Sequence, residues 1–111
     1  MRGRVLGILA VSRSFGDHSL KQFVPSLPFY RNDQIIQEDK FIIIACDGVW
    51  DVLTDQEAVD FVKLKIDEAL KETSESATPF ASFENKVARQ LIDEALEKGS
   101  TDNITVQIVL L

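Results

Sequence analysis

Phe41-Ile-Ile-Ile-Ala-Cys-Asp-Gly-Val-Trp-Asp51 is an apolar, β-branched run that ends abruptly in two acids, Asp47 and Asp51, with Gly48, Val49 and Trp50 between them. Such a run reads as a buried strand, and carboxylates at its exit sit at the rim of a core. A charge there is costly unless something compensates it, and a divalent cation with oxygen ligands is one such compensator. A second segment, Gly99-Ser-Thr-Asp-Asn-Ile-Thr-Val106, sets Asp102 just before another strand-like run, Ile104 to Leu111. Two acids at the edges of two separate strands look like half of a metal site. Taken alone, Asp47-Gly48 also reads as a turn, and Asp102-Asn103 as an Asx-type loop.

Upstream, Val5 to Val11 reads as a strand interrupted by Gly7, followed by a turn at Ser12 to Asp17. Residues 18–34 carry Pro25 and Pro28 and read as irregular, with one helical turn near Leu20 to Phe23. Ile35-Ile36-Gln37 and Phe41 to Cys46 flank Glu38-Asp39-Lys40, which predicts a hairpin with a short polar loop. Downstream, Thr54-Asp-Gln-Glu57 is a capping box. The helix that follows runs to about Lys71, with Ala58, Val62, Ile66 and Ala69 on its apolar face and Val59, Phe61 and Leu70 beside them. Glu72 to Pro79 reads as a loop. Ser82 or Thr78 can cap a second helix, in which Val87-Ala88, Leu91-Ile92 and Ala95-Leu96 recur every four residues and which Gly99 stops as a left-handed cap. Ile104, Val106, Ile108 and Leu110 then alternate with Thr105 and Gln107 in a closing strand. Adjacent helices between antiparallel-style strands predict an α+β fold with helices on one face of a sheet.

The chain has 111 residues, 45% hydrophobic and 27% charged, ordinary proportions for a globular protein of one domain or less. A net charge of −6 argues against a nucleic-acid partner, which needs a basic face. The single cysteine, Cys46, excludes an internal disulfide and points to a reducing compartment. No apolar stretch approaches the roughly 18 residues of a membrane span, so cytoplasm or nucleus is the expected location and no membrane partner is expected.

Three ordered segments carry a family resemblance. Ala45-Cys-Asp-Gly-Val-Trp-Asp51 and Gly99-Ser-Thr-Asp-Asn-Ile-Thr-Val106 resemble two signature segments of the metal-dependent serine/threonine protein phosphatases of the 2C type. Arg4-Val-Leu-Gly-Ile-Leu-Ala-Val-Ser-Arg-Ser-Phe-Gly-Asp17 resembles the strand-and-turn block that precedes them. The resemblance implies that residues 1–111 are the C-terminal portion of the family's catalytic domain, an incomplete domain with its N-terminal half missing. It also implies an α+β fold that is part of a β-sandwich of antiparallel sheets flanked by helices, with metals at one end between the sheets. The reaction implied is hydrolysis of phosphoserine and phosphothreonine in phosphoprotein substrates at a binuclear Mg2+ or Mn2+ centre. Carried over by motif, Asp47 and Asp102 look like ligands of the first metal. Asp51 looks like an outer-shell or third-metal acid, or else a plain cap or turn residue. Asn103 looks like the group that orients Asp102 by a hydrogen bond.

The family's remaining segments, of Met-Glu-Asp, Asp-Gly-His-Gly-Gly and Gly-Asp-Ser-Arg type, supply the bridging acid, a general-acid histidine and a phosphate-binding arginine. None of them occurs in this sequence. The expectation is therefore a chain that is inactive by itself, with a weak or absent divalent site. The alternative is a non-catalytic interaction module derived from the phosphatase scaffold. Arg13 reads as a structural ion-pair partner, His18 as a solvated loop residue, Cys46 as inert and buried, and Trp50 as a core anchor. Unpaired sheet edges and an uncovered apolar face predict a homodimer. Exchange of equivalent elements through the loop from Glu72 to Pro79 would be a low-cost route to it.

Overall fold

The structure is a computed structural model that describes residues 3–73 and 80–111, without the side chains of Thr73 and of residues 80–84. It divides into two compact units, one up to Ile35 and one from Ile36 to Leu111. The second holds the regular elements: β1 (Phe41–Ala45), α1 (Asp47–Trp50), α2 (Asp55–Thr73), α3 (Phe80–Glu97) and β2 (Val106–Leu110).

The two strands pair antiparallel, from Phe41 opposite Leu110 to Ala45 opposite Val106. Main-chain bonds carry the ladder past both ends, Leu111 N–H to the Lys40 carbonyl at 3.0 Å and Cys46 N–H to the Thr105 carbonyl at 3.3 Å. Alternation sends Phe41, Ile43, Ala45, Val106 and Ile108 toward the helices, where they pack on Val49, Leu53, Ala58, Val62, Val87, Leu91 and Ala95. Ile42 and Ile44 face outward, 41% and 54% exposed. The predicted α+β class, with helices on one face of an antiparallel sheet, is what forms.

Local chemistry sets the start of α2 and the end of α3. The Thr54 amide donates to Glu57 Oε2 at 3.0 Å and the Glu57 amide to Thr54 Oγ1 at 3.2 Å, so the capping box closes in both directions. Ala58, Val62 and Ala69 are buried along α2, whereas Val59 and Leu70 lie exposed. At the end of α3, Gly99 adopts φ 94°. Its N–H donates to the Leu96 carbonyl and the Ser100 N–H to the Ala95 carbonyl, both at 3.0 Å, a Schellman ending that turns the chain back toward the sheet. Ser82 falls inside α3 and is not its cap. Thr78, and the proposed hinge beyond Thr73, lie outside the described residues.

Two expected strands do not form. Leu6 and Gly7 take positive φ, 51° and 72°, and fold the Val5 run back on itself, so Val5 donates to its own neighbour Leu9 at 2.7 Å. An apolar run makes a strand only against a partner that takes its main-chain hydrogen bonds. The hairpin of Ile35–Gln37 with Phe41–Cys46 is likewise replaced. Its turn survives, with the Asp39 amide on the Ile36 carbonyl at 3.1 Å and the Ile36 amide on Asp39 Oδ2 at 3.0 Å. The strand partner is β2 instead, which offers a longer matched apolar face. Among the described residues the sheet therefore has two strands.

In the first unit, a 3-10 turn at His18–Leu20 runs into the helical turn expected near Leu20 to Phe23, where the Phe23 and Val24 amides both donate to the Leu20 carbonyl at 2.9 Å. The Ser14 hydroxyl donates to Asp17 Oδ2 at 2.7 Å, and the Ser14 amide to the Pro25 carbonyl at 3.1 Å.

What sets the spacing of β1's exit against β2's start is a missing side chain. A Cβ on Gly48 would overlap the Asn103 carbonyl oxygen and lie 3.0 Å from Ile104 Cγ1. Overpacking of this kind costs about 1–3 kcal/mol, whereas losing an N-cap hydroxyl costs about 1 kcal/mol. Gly48→Ala is thus expected to lower urea-unfolding stability more than Thr54→Ala. An equal or smaller loss at Gly48 would show that the Asn103 backbone yields.

Candidate metal centre

Because β1 and β2 run antiparallel, the exit of one and the start of the other share one end of the sheet. That end carries the acids. Asp47 opens α1, Asp51 follows its last residue, and Asp102 stands in the loop between Gly99 and β2. All three are exposed.

Two cross-links flank the acids. Cys46 Sγ–H donates to the Asn103 carbonyl at 3.3 Å, and the Thr105 amide donates to Cys46 Sγ at 3.3 Å. On the other side, Ser100 Oγ donates to the Gly48 carbonyl at 2.6 Å. Asp47 lies between Cys46 and Gly48, and Asp102 between Ser100 and Asn103, so the two acid-bearing segments are held face to face at two points.

Asp51 and Asp102 line one cleft of about 240 Å3, together with Val52, Gly99, Ser100 and Thr101. Asp47 is on the adjoining segment and does not line that cleft. Its carbonyl accepts the Asp51 amide at 2.8 Å. The structure therefore brings Asp51, ranked lowest from the sequence, together with Asp102, and sets Asp47 beside them. The hydrogen bond to Asp102 Oδ1, at 2.7 Å, comes from the main-chain N–H of Asn103 rather than from its side-chain amide.

Carboxylate oxygens suit a hard divalent cation, and solvent-facing lone pairs leave Asp51 and Asp102 free to take one. The number of donors is small. Among the described residues no three His, Cys, Asp or Glu side chains converge as a metal-holding group. The chemistry of the donors fits magnesium or manganese, and their count makes a partial shell.

Other residues fall out more plainly. Trp50 is not a core anchor. It is 37% exposed, and its indole N–H is fixed on the Ala45 carbonyl at 2.9 Å. Cys46 is half-buried and hydrogen-bonded rather than sunk in the core. His18 is exposed, and Arg13 forms no ion pair among the described residues. Ser100 and Thr101, which line the cleft, lie inside the Gly99–Val106 segment, but neither has a role assigned from the sequence alone. The Ser100 bond joins residues 52 positions apart, and nothing local announces it.

Comparison with known proteins identifies the family. The profile of the family described as Protein phosphatase 2C matches residues 1–104, which include all three acids. The chain is 42% identical over 111 residues to Protein phosphatase 2C homolog 1 of Saccharomyces cerevisiae, covering all of this chain and 34% of that protein. It is 39% identical over 108 residues to the human Integrin-linked kinase-associated serine/threonine phosphatase 2C, covering 96% of this chain and 28% of that one. A solved structure described as that of a C. elegans sex determining protein superposes with a TM-score of 0.71 at 24% identity, over 96% of this chain and 24% of the other, which shows a shared fold. The chain spans about a third of the length of the curated relatives it matches. With Asp47, Asp51 and Asp102 inside a profile match that runs from residue 1 to residue 104, the chain belongs to the protein phosphatase 2C family.

Proposed function

We propose that this chain supplies one wall of the active site of a metal-dependent protein serine/threonine phosphatase, and that residues 1–111 are the C-terminal portion of that catalytic domain. The observation that carries the reading is the shared cleft of Asp51 and Asp102, with Asp47 on the segment clamped beside it. Asp102 and Asp51 would supply part of the shell of a magnesium or manganese ion there, with Asp47 on the adjoining segment. When bound, a pair of such ions supplies activation of water and neutralisation of phosphoryl charge, the two needs of phosphate-monoester hydrolysis. The chain's own part is to present carboxylate oxygens at a fixed separation. The Asn103 amide holds one oxygen of Asp102 and leaves the other for a cation.

Two or three acids from one side do not enclose two ions, so the chain alone binds divalent metal weakly and does not turn over phosphate esters. The phosphoprotein substrate belongs to the complete domain. A single thiol and no disulfide support a reducing location, cytoplasm or nucleus. No helix among the described residues is long and apolar enough to cross a membrane.

The outward face of the sheet favours a second reading, a non-catalytic interaction module. Ile42 and Ile44 stand exposed on β1, with Val109 half-buried opposite Ile42. A second copy of the chain covering that face would make a homodimer.

Three measurements test these readings. Thermal melts with rising manganese should shift upward by mass action only at high ion concentration, and an Asp51→Asn, Asp102→Asn double variant should lose the shift. A shift of equal size in the double variant would place the ion elsewhere. The isolated chain should hydrolyse p-nitrophenyl phosphate no faster than background with either ion, and manganese-dependent turnover abolished by Asp102→Asn would show a complete site. Light scattering coupled to gel filtration at micromolar concentration should give a dimer that Ile42→Lys, Ile44→Lys returns to monomer. A wild-type monomer with cooperative unfolding overturns the second reading.

A further inference from the structure

Four-residue α1 leaves carbonyls that its own turns do not use, as every helix end does. The Gly48 carbonyl is one of them. The amide that would reach it from the next turn, that of Val52, donates to Val49 at 3.1 Å instead, and the amides of Asp51 and Leu53 donate to Asp47 and Val49. Gly48 is buried, so water does not readily replace a lost partner. The partner it has is the Ser100 hydroxyl, at 2.6 Å and part-buried.

Ser100 has little freedom of its own. Its amide is committed to the Ala95 carbonyl by the Schellman ending of α3, and Gly99 before it sits at φ 94°. The hydroxyl therefore transfers the position of the α3 end directly to the backbone of α1. Asp102 lies two residues beyond Ser100 and Asp51 three beyond Gly48, and Ser100 itself lines the cleft between them. On the cleft side this hydrogen bond is the short link between the two carboxylates. The thiol bond from Cys46 to Asn103 closes the far side of the same pair of segments.

We propose that Ser100 is the positioning residue of this cleft: by binding the Gly48 carbonyl, its hydroxyl sets the separation of the Asp102 and Asp51 carboxylates and hence the fit of a divalent ion. The metal part rests on reading the cleft as a cation site, while the positioning part does not. Hydroxyl chemistry is what the position requires. Alanine leaves the Gly48 carbonyl without its donor, and threonine keeps the donor.

The test uses the whole 111-residue chain, nitrogen-15 labelled, as wild type, Ser100→Ala and Ser100→Thr. Without metal, Ser100→Ala should move the amide signals of both Gly48–Asp51 and Thr101–Asn103, and Ser100→Thr should return them. Signals of either segment left in place by Ser100→Ala overturn the proposal, whatever happens with metal. With manganese alone, broadening of the Asp51 and Asp102 amides reports binding, and Ser100→Ala should weaken it about tenfold, the scale seen when a ligand's supporting hydrogen bond is lost. Ser100→Thr should restore it. A lowered melting temperature with unchanged manganese affinity would make Ser100 merely structural and would overturn its role in the cation site. Amide shifts that behave as expected, with no broadening in wild type, would sink the reading of the cleft as a cation site and leave the positioning standing. Should Ser100→Ala fail to fold, Ser100→Cys keeps the shape with a weaker donor. It should then give intermediate shifts, and wild-type signals there would count against the proposal.

Discussion

The close approach of Gly48 to the Asn103 backbone decides where everything else at the acid-bearing end of this molecule can lie. With no side chain at residue 48, the first turn after β1 sits directly against the chain that leads into β2. Two consequences follow. Hydrogen bonds from Cys46 and Ser100 become short enough to form on either side of the contact. The acids that border those residues are then placed by main chain rather than by flexible side-chain reach. An acid carried on a rigid backbone keeps its direction when solvated, which is what a cation site asks of its ligands.

Behind that end, the helices are what keep the strands in position. A two-stranded ribbon is marginal in water. Here it is held by α3 and α2, whose Val87, Leu91, Ala95, Val62 and Ala58 close over Val49, Leu53 and Ile108. Val49 belongs to this core and also to α1, one residue after Gly48, so packing energy bears directly on the acid-bearing turn. The sheet's other face is a different matter. Ile42 and Ile44 meet solvent there, on the side of β1 that the helices do not cover.

The cleft adds a local arrangement to what the motifs give. Asp47 and Asp102 are the acids the family resemblance ranks first, and Asp51 and Asp102 are the acids among the residues that line one cleft. Asp51 gains its place from the turn of α1, which carries the chain from Asp47 round to the mouth of the Gly99–Asp102 loop. Spacing along the sequence specifies that both acids lie near one turn. It does not specify which of them faces the neighbouring loop.

The sequence by itself determined the features whose causes are local. The Thr54–Glu57 capping box, the apolar stripe of α2, the four-residue recurrence in α3 and the Gly99 stop all act within a few residues, and each appears where it was expected. The acid-bearing motifs and the family they belong to were legible for the same reason. Strand pairing was not. Val5 to Val11 and Ile35 to Gln37 have the composition of strands, but a strand exists only through a partner's hydrogen bonds, and no local signal says whether one arrives. The tertiary structure alone decided that β1 pairs with β2 and that Trp50 lies half-open over the Ala45 carbonyl. It alone decided, too, that Ser100 reaches Gly48, because these depend on contacts between residues brought together only when the helices pack and the antiparallel ladder closes.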